Sequence, residues 1–160
     1  MVNPIDEVLI AIRRLIRATD LYSKKLSKNS GLTAPQLLVL QSIAATQEKT
    51  IGDIAKAVSL SQATVTTIVT RLEGRGYLLR TRSETDRRKV YVSLTEEGMA
   101  LLANAPTALQ EKFIQQFSAM DSWEQMMILS SLQRVAQMMD AEQIDASPVL
   151  DIGDLDRERV

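Results

Sequence analysis

A chain of 160 residues with 45% hydrophobic content and a net charge of −1 has the size for one domain, or one domain with a dimerisation arm, and the apolar material for a sizeable core. It contains neither cysteine nor histidine, which removes disulfides, thiolate metal sites, a thiol redox switch and any histidine-based catalytic triad. No apolar run has the length of a bilayer span, and the opening Met1-Val2-Asn3-Pro4-Ile5-Asp6-Glu7 is acidic rather than basic, so no membrane segment or secretory signal is expected and the expected location is the cytoplasm.

The near-zero net charge hides a division. Residues 1–92 carry fifteen cations and eight acids, and residues 93–160 carry four and twelve. A positive half suits a polyanionic partner, with the negative half turned away from it.

In chain order, Ile5, Val8, Leu9, Ile12, Leu15, Ile16, Tyr22 and Leu26 follow helical spacing and predict a helix from about Asn3 to Lys28, closed by Asn29-Ser30-Gly31. Its length and broad apolar face point to packing against a partner subunit. Lys24, Lys25 and Lys28 either complement the negative end of its dipole or meet phosphate. Thr33-Ala34-Pro35-Gln36 reads as a capping box with proline in the first turn, opening a second helix that ends near Thr46.

Thr50 followed by Asp53 starts a third helix through Ile51, Ile54, Ala55 and Val58. Ser61 caps a fourth, in which Val65, Ile68, Val69 and Leu72 share one face. Gln62, Ala63, Thr64, Thr66, Thr67, Thr70 and Arg71 lie near or on the other. That free side is small, hydroxylated and nearly free of acids, so it can approach the grooves of double-stranded DNA. Gly76 ends the helix, and the period then changes: Tyr77–Arg82 and Val90–Leu94 read as strands, joined by the polar Ser83-Glu84-Thr85-Asp86-Arg87-Arg88-Lys89. Two short helices followed by a basic-tipped hairpin make a winged helix-turn-helix, with the second helix in the major groove and the hairpin in an adjacent minor groove.

Thr95-Glu96-Glu97-Gly98 starts a long helix reaching Phe117, and Pro106 inside it predicts a kink. Asp121-Ser122-Trp123-Glu124 caps a last helix carrying Met126, Met127, Ile128, Leu132, Val135, Met138 and Met139. Its methionines suit either a dimer core shared with the first helix or an adaptable small-molecule surface. The acidic tail is either solvated or docked through Ile144, Val149, Leu150 and Ile152. The expected fold class is therefore mainly α with a small β-hairpin wing. Residues 1–30 and 99–140 form a helical dimerisation region, residues 31–98 form the winged helix-turn-helix, and residues 141–160 form the tail.

The run Asp86-Arg87-Arg88, then Ser93-Leu94-Thr95 and Gly98, resembles the wing signature of the multiple-antibiotic-resistance regulator (MarR) family. The helix from Ser61 to Gly76, with Val65-Thr66 and Arg71-Leu72-Glu73 ahead of Gly76-Tyr77-Leu78, is similar to that family's recognition helix. The likeness spans roughly residues 5–140 and implies a homodimeric repressor of a pseudo-palindromic operator, needing no cofactor or metal. It implies Ser61, Gln62, Ala63, Thr64, Thr67, Thr70 and Arg71 as the major-groove set. In the wing it implies that Asp86 holds Arg88 for the minor groove, with Arg87 and Lys89 flanking the tip. The family often has a large basic residue where Thr67 stands, so this chain is expected to rely more on the wing.

Arg71 and Arg75 suit phosphate contact, and Arg75 equally suits capping its own helix's carbonyls. Arg80 and Arg82, on the first wing strand, could add backbone contacts. For a small-molecule effector, the likeness implies a crevice where the first, second and fifth helices meet the DNA lobe. Arg14, Arg17, Tyr22 and Gln36 are the nearby candidates, each with a packing role as the competing reading. The run Ile128–Ala136 and the tail also resemble the branch that represses ectoine and other compatible-solute genes. A quaternary ammonium solute would want converging aromatic faces, and the chain has six aromatics: Tyr22, Tyr77, Tyr91, Phe113, Phe117 and Trp123; the alternative to a small effector is direct sensing of ionic strength through the basic lobe. The alternative to a repressor is a winged-helix protein-interaction module on a helical dimer. An enzyme has no marked carboxylate pair, glycine-rich phosphate loop or nucleophile–base partnership to work with.

Overall fold

The computed structural model describes residues 3–46, 48–83, 89–105, 109–144 and 149–150. Within these run α1 (Pro4–Ser30), α2 (Ala34–Ala44), β1 (Glu48–Thr50), α3 (Ile51–Val58), α4 (Gln62–Gly74), β2 (Leu78–Arg82), β3 (Val90–Leu94), α5 (Glu96–Asn104), α6 (Leu109–Ser118) and α7 (Ser122–Met138). The architecture is mainly helical with one small sheet.

Side-chain caps set most boundaries. The Asn3 side chain accepts from Ile5 N at 3.1 Å, and Pro4, with no N–H to satisfy, starts α1. Gly31 ends it at φ 65°, a left-handed conformation that costs glycine nothing. Thr50 Oγ1 accepts from Asp53 N at 3.2 Å and donates to the Asp53 carboxylate at 2.6 Å. These contacts with Thr50 hold the Asp53 carboxyl below the usual aspartate range, because they favour the ionised form.

The sheet is antiparallel in the order β1-β3-β2. Leu78 pairs with Leu94 and Arg82 with Val90 on one side of β3, and Glu48 pairs with Ser93 and Thr50 with Tyr91 on the other. β1 is absent from the sequence reading: three residues are too few to show a period, and their partner lies some forty residues away. The central strand places Val92 in the core, fully buried.

That core belongs to one lobe. Leu26, Leu37, Leu40, Ile43, Ile54, Val65, Ile68, Leu72 and Val92 are all closed to solvent, and they come from the end of α1, from α2 to α4 and from the sheet. No residue of α6 or α7 is buried. Ile5, Leu15, Trp123 and Met138 keep 60% or more of their surface exposed, so apolar stripes on α1 and α7 have no cover among the described residues. Val149 packs against the lobe's core, which docks that point of the tail.

The single kinked helix expected from Thr95 to Phe117 is two helices. Ala105 adopts φ −73°, ψ 141°, the extended conformation forced on a residue preceding proline by the ring's Cδ. Pro106 itself lies outside the described residues.

The Leu94-Thr95-Glu96-Glu97-Gly98 run acquires a physical meaning. Thr95 Oγ1 accepts from Gly98 N at 3.0 Å, capping α5, and donates to the Gly76 carbonyl at 2.7 Å. Thr95 N donates to Tyr77 O at 3.1 Å. A Cβ at Gly98 would overlap that same Tyr77 carbonyl. One hydroxyl and one missing side chain thus lock the start of α5 onto the turn that joins α4 to the wing.

Candidate nucleic-acid interface

Ser61 opens α4 as its N-cap, with Oγ accepting from Thr64 N at 3.0 Å and lying 2.8 Å from Thr64 Oγ1. Val65, Ile68, Val69 and Leu72 are buried, which turns Gln62, Ala63, Thr66 and Thr70 outward with Thr67 half-exposed beside them. Of the expected major-groove set, Ser61, Gln62, Ala63, Thr67 and Thr70 share this outer region, and Thr64 is half-buried at its edge. Thr66 joins them; its 3.6-residue position predicts this, but the family pattern alone passes it over.

The hydroxyl donors on this face are largely committed. Thr66 Oγ1 donates to Gln62 O at 2.7 Å and Thr67 Oγ1 to Ala63 O at 3.1 Å. Back-bonding of this kind spends the O–H inside the helix. Thr66 and Thr67 therefore present methyl groups and acceptor lone pairs, suited to thymine methyls and exocyclic amino groups, while the exposed Gln62 amide keeps both donor and acceptor.

The hairpin rises beside α4. Ser83 N donates to Lys89 O at 3.0 Å, closing the ladder below the tip. Lys89 is exposed. Asp86, Arg87 and Arg88, the other wing residues, lie outside the described residues. Arg80, on β2, reaches back to the helix: its guanidinium donates to Thr70 Oγ1 at 2.8 Å and lies 3.2 Å from the Glu73 carboxylate. The sequence offers Arg80 as a backbone contact to DNA and does not disclose this pairing.

Arg71 is half-buried and, with Arg75, lines a cavity of about 360 Å³ together with Ser27, Gly31, Leu32, Thr33 and Gln36. Arg75 donates to the Gly31 carbonyl at 2.9 Å and lies 5.0 Å over the Tyr77 ring, so it ties α4 to the end of α1 instead of capping its own helix. Gln36 is buried, its Oε1 accepting from Thr33 N at 3.0 Å. The Thr33 hydroxyl is buried in the capping-box position facing the Gln36 backbone N–H, without a hydrogen bond of ordinary geometry. Of the four effector candidates, Gln36 lines this cavity. Tyr22 packs against the lobe's core, Arg14 is exposed on α1, and Arg17 pairs with Asp20 at 2.8 Å.

Among the described residues no helix is long and apolar enough to cross a membrane, and no group of side chains is disposed to hold a metal ion.

Residues 32–90 match the MarR family. The homoprotocatechuate degradative operon repressor of Escherichia coli is 32% identical over 127 residues, covering 79% of this chain and 85% of that protein. The solved structure of BpsR from Bordetella bronchiseptica, whose DNA binding is regulated by 6-hydroxynicotinic acid, is 28% identical with a TM-score of 0.52, covering 81% of this chain and 98% of BpsR. The PcaV regulator of Streptomyces coelicolor, solved with its natural ligand, shares the fold at 24% identity and a TM-score of 0.56, covering 87% of this chain and 98% of PcaV. With its recognition helix, hairpin wing and the Thr95–Gly98 lock in place, the chain belongs to the MarR family of DNA-binding transcriptional regulators, which are not enzymes.

Proposed function

We propose that this chain is a homodimeric repressor that binds a pseudo-palindromic operator and releases it when a small organic acid occupies the cavity beside α4. The observation that carries the reading is the outward, nearly acid-free face of α4 beside a basic hairpin. Two such lobes on one dimer would address half-sites about one helical turn, roughly 10 bp, apart. The uncovered apolar stripes of α1 and α7 support the dimer. Asp86, Arg87, Arg88 and Lys89 would serve the minor groove.

The cavity's chemistry favours an acid. Two guanidinium-bearing residues, Arg71 and Arg75, line it beside Thr33, and guanidinium groups suit a carboxylate. Among the described residues its lining contains no aromatic ring, whereas a quaternary ammonium solute would want several. BpsR responds to a hydroxylated aromatic acid, which supports the same class here. The compatible-solute reading then rests on the C-terminal run alone.

Selection of bound genomic fragments tests both, followed by titration across salt with 6-hydroxynicotinate, ectoine or no addition. Affinity should fall steeply with salt because phosphates supply most of it, the acid should weaken binding, and Arg88→Ala should weaken it without changing dimerisation. Binding insensitive to both salt and Arg88→Ala contradicts the scheme, and release by ectoine alone would restore the osmolyte reading.

A further inference from the structure

We infer that Arg80 is a positioning residue that fixes the wing against the recognition helix, and that it is not itself a phosphate contact. The inference deepens the DNA-binding reading above and rests on it. Thr70 and Glu73 stand three residues apart, on one edge of the last turns of α4. A single guanidinium from the middle of β2 meets both, Nη2 at 2.8 Å from Thr70 Oγ1 and Nη1 at 3.2 Å from Glu73 Oε2. Using two nitrogens of a rigid fork on two partners fixes orientation as well as distance. The side chains of Arg80 and Glu73 are each about one-third exposed, so the pair lies at the edge of the interface and not inside the core.

Position in the chain gives this contact its leverage. From Arg80 the strand runs through Thr81 and Arg82 to Ser83, where the hairpin closes on Lys89. Leu78 holds the base of the hairpin in the core, and Val92 holds β3 there on the same rung as Arg80. The Arg80 fork holds the edge strand β2 at that rung, the last side-chain tie to α4 before the tip among the described residues. A rotation of the hairpin about its base would carry the tip away from α4, and the fork opposes that rotation. Its second effect is electrostatic. Glu73 is the sole acid in α4, on a helix that must approach phosphates, and the guanidinium neutralises it locally. Arg82, exposed on the same strand, is the better placed of the two arginines for phosphate.

The full chain carrying Arg80→Ala, Arg80→Lys, Arg88→Ala and both Arg80/Arg88 combinations is compared on a DNA fragment selected by the wild type, with amide exchange measured on the free proteins. Arg80→Ala should lower affinity about tenfold while leaving the slope of log K against log salt unchanged, and Arg80→Lys should fail to restore affinity, since a point charge cannot replace the fork. Arg88→Ala should cost less in either Arg80 background than in the wild type, because an unheld wing contributes less. Amides of β2 and β3 near Ser83 should exchange faster in free Arg80→Ala.

A slope reduced by about 0.9, one phosphate's share, with rescue by lysine and additive Arg88→Ala, would make Arg80 a phosphate contact and overturn the inference. Unchanged hairpin exchange would overturn it also, with or without DNA. Failure of the DNA-binding reading itself would look different: no fragment selected by the wild type and no effect of Arg88→Ala, with the exchange data still deciding the role of Arg80 in the free protein.

Discussion

The carbonyl oxygen of Tyr77 occupies the place where a side chain on Gly98 would begin. The same carbonyl accepts from Thr95 N at 3.1 Å, so it cannot move aside without breaking the link between wing and α5. Gly98→Ala should therefore destabilise the lobe by about 1–3 kcal/mol, the usual range for forced overpacking. Urea denaturation measures it, and a loss below about 0.5 kcal/mol would show that the turn can yield.

Ser61→Ala removes the N-cap acceptor of the recognition helix. The expected cost is about 1 kcal/mol of stability. Operator affinity should fall as well, because the fraying end carries Gln62 and Ala63. Ser61→Asp separates the two effects: it retains a cap and should keep stability, while its negative charge near phosphate lowers affinity.

The caps explain how much of this fold was legible beforehand. Thr50, Ser61 and Thr95 each bond the backbone within three residues, and local rules find local bonds. The limits of β3 and the left-handed stop at Gly31 were readable for the same reason. What sequence concealed is non-local. β1 exists because Tyr91–Ser93 lies alongside it. Arg75 reaches a carbonyl 44 residues away, and Arg80 turns inward because β2 passes the end of α4. The break before α6 was half visible, since proline was expected to bend the helix. Its steric effect falls on Ala105, the preceding residue, and ends α5 there. The interface was legible as a helix face, but the commitment of its threonine donors was not.

Acid should loosen α3 selectively. The carboxyl of Asp53 titrates below its ordinary value of 3.8, chiefly through its side-chain hydrogen bond with Thr50. A lowered folded-state value means the contribution is fully present above the unfolded-state value and is lost as pH falls through the folded one. Denaturation curves taken downward from neutral pH should show wild type more stable than Asp53→Asn at pH 7, with the two converging once Asp53 protonates. A difference constant across that range would exclude the carboxylate as the source.

Thr33→Val exchanges a buried hydroxyl that lacks a hydrogen bond of ordinary geometry for a methyl of similar size. Removing an unsatisfied polar atom usually relieves a cost of about 1–3 kcal/mol, so the variant should melt no lower than wild type. If the cavity takes a carboxylate through this hydroxyl, release of DNA by 6-hydroxynicotinate should need several-fold more ligand. A melting point lowered by the substitution would show that Thr33 serves as a working cap.

Because α6 and α7 bury no residue against the described parts of the chain, another surface is what would underwrite their helicity. With a second copy as that surface, dilution becomes a denaturant: far-UV ellipticity of the terminal helices should decline as protein concentration drops through the dissociation constant, while the lobe built around Val92 stays folded. The abundance of the chain and the shape of its own ends would then be linked by mass action, and a scarce regulator would be an unfinished one.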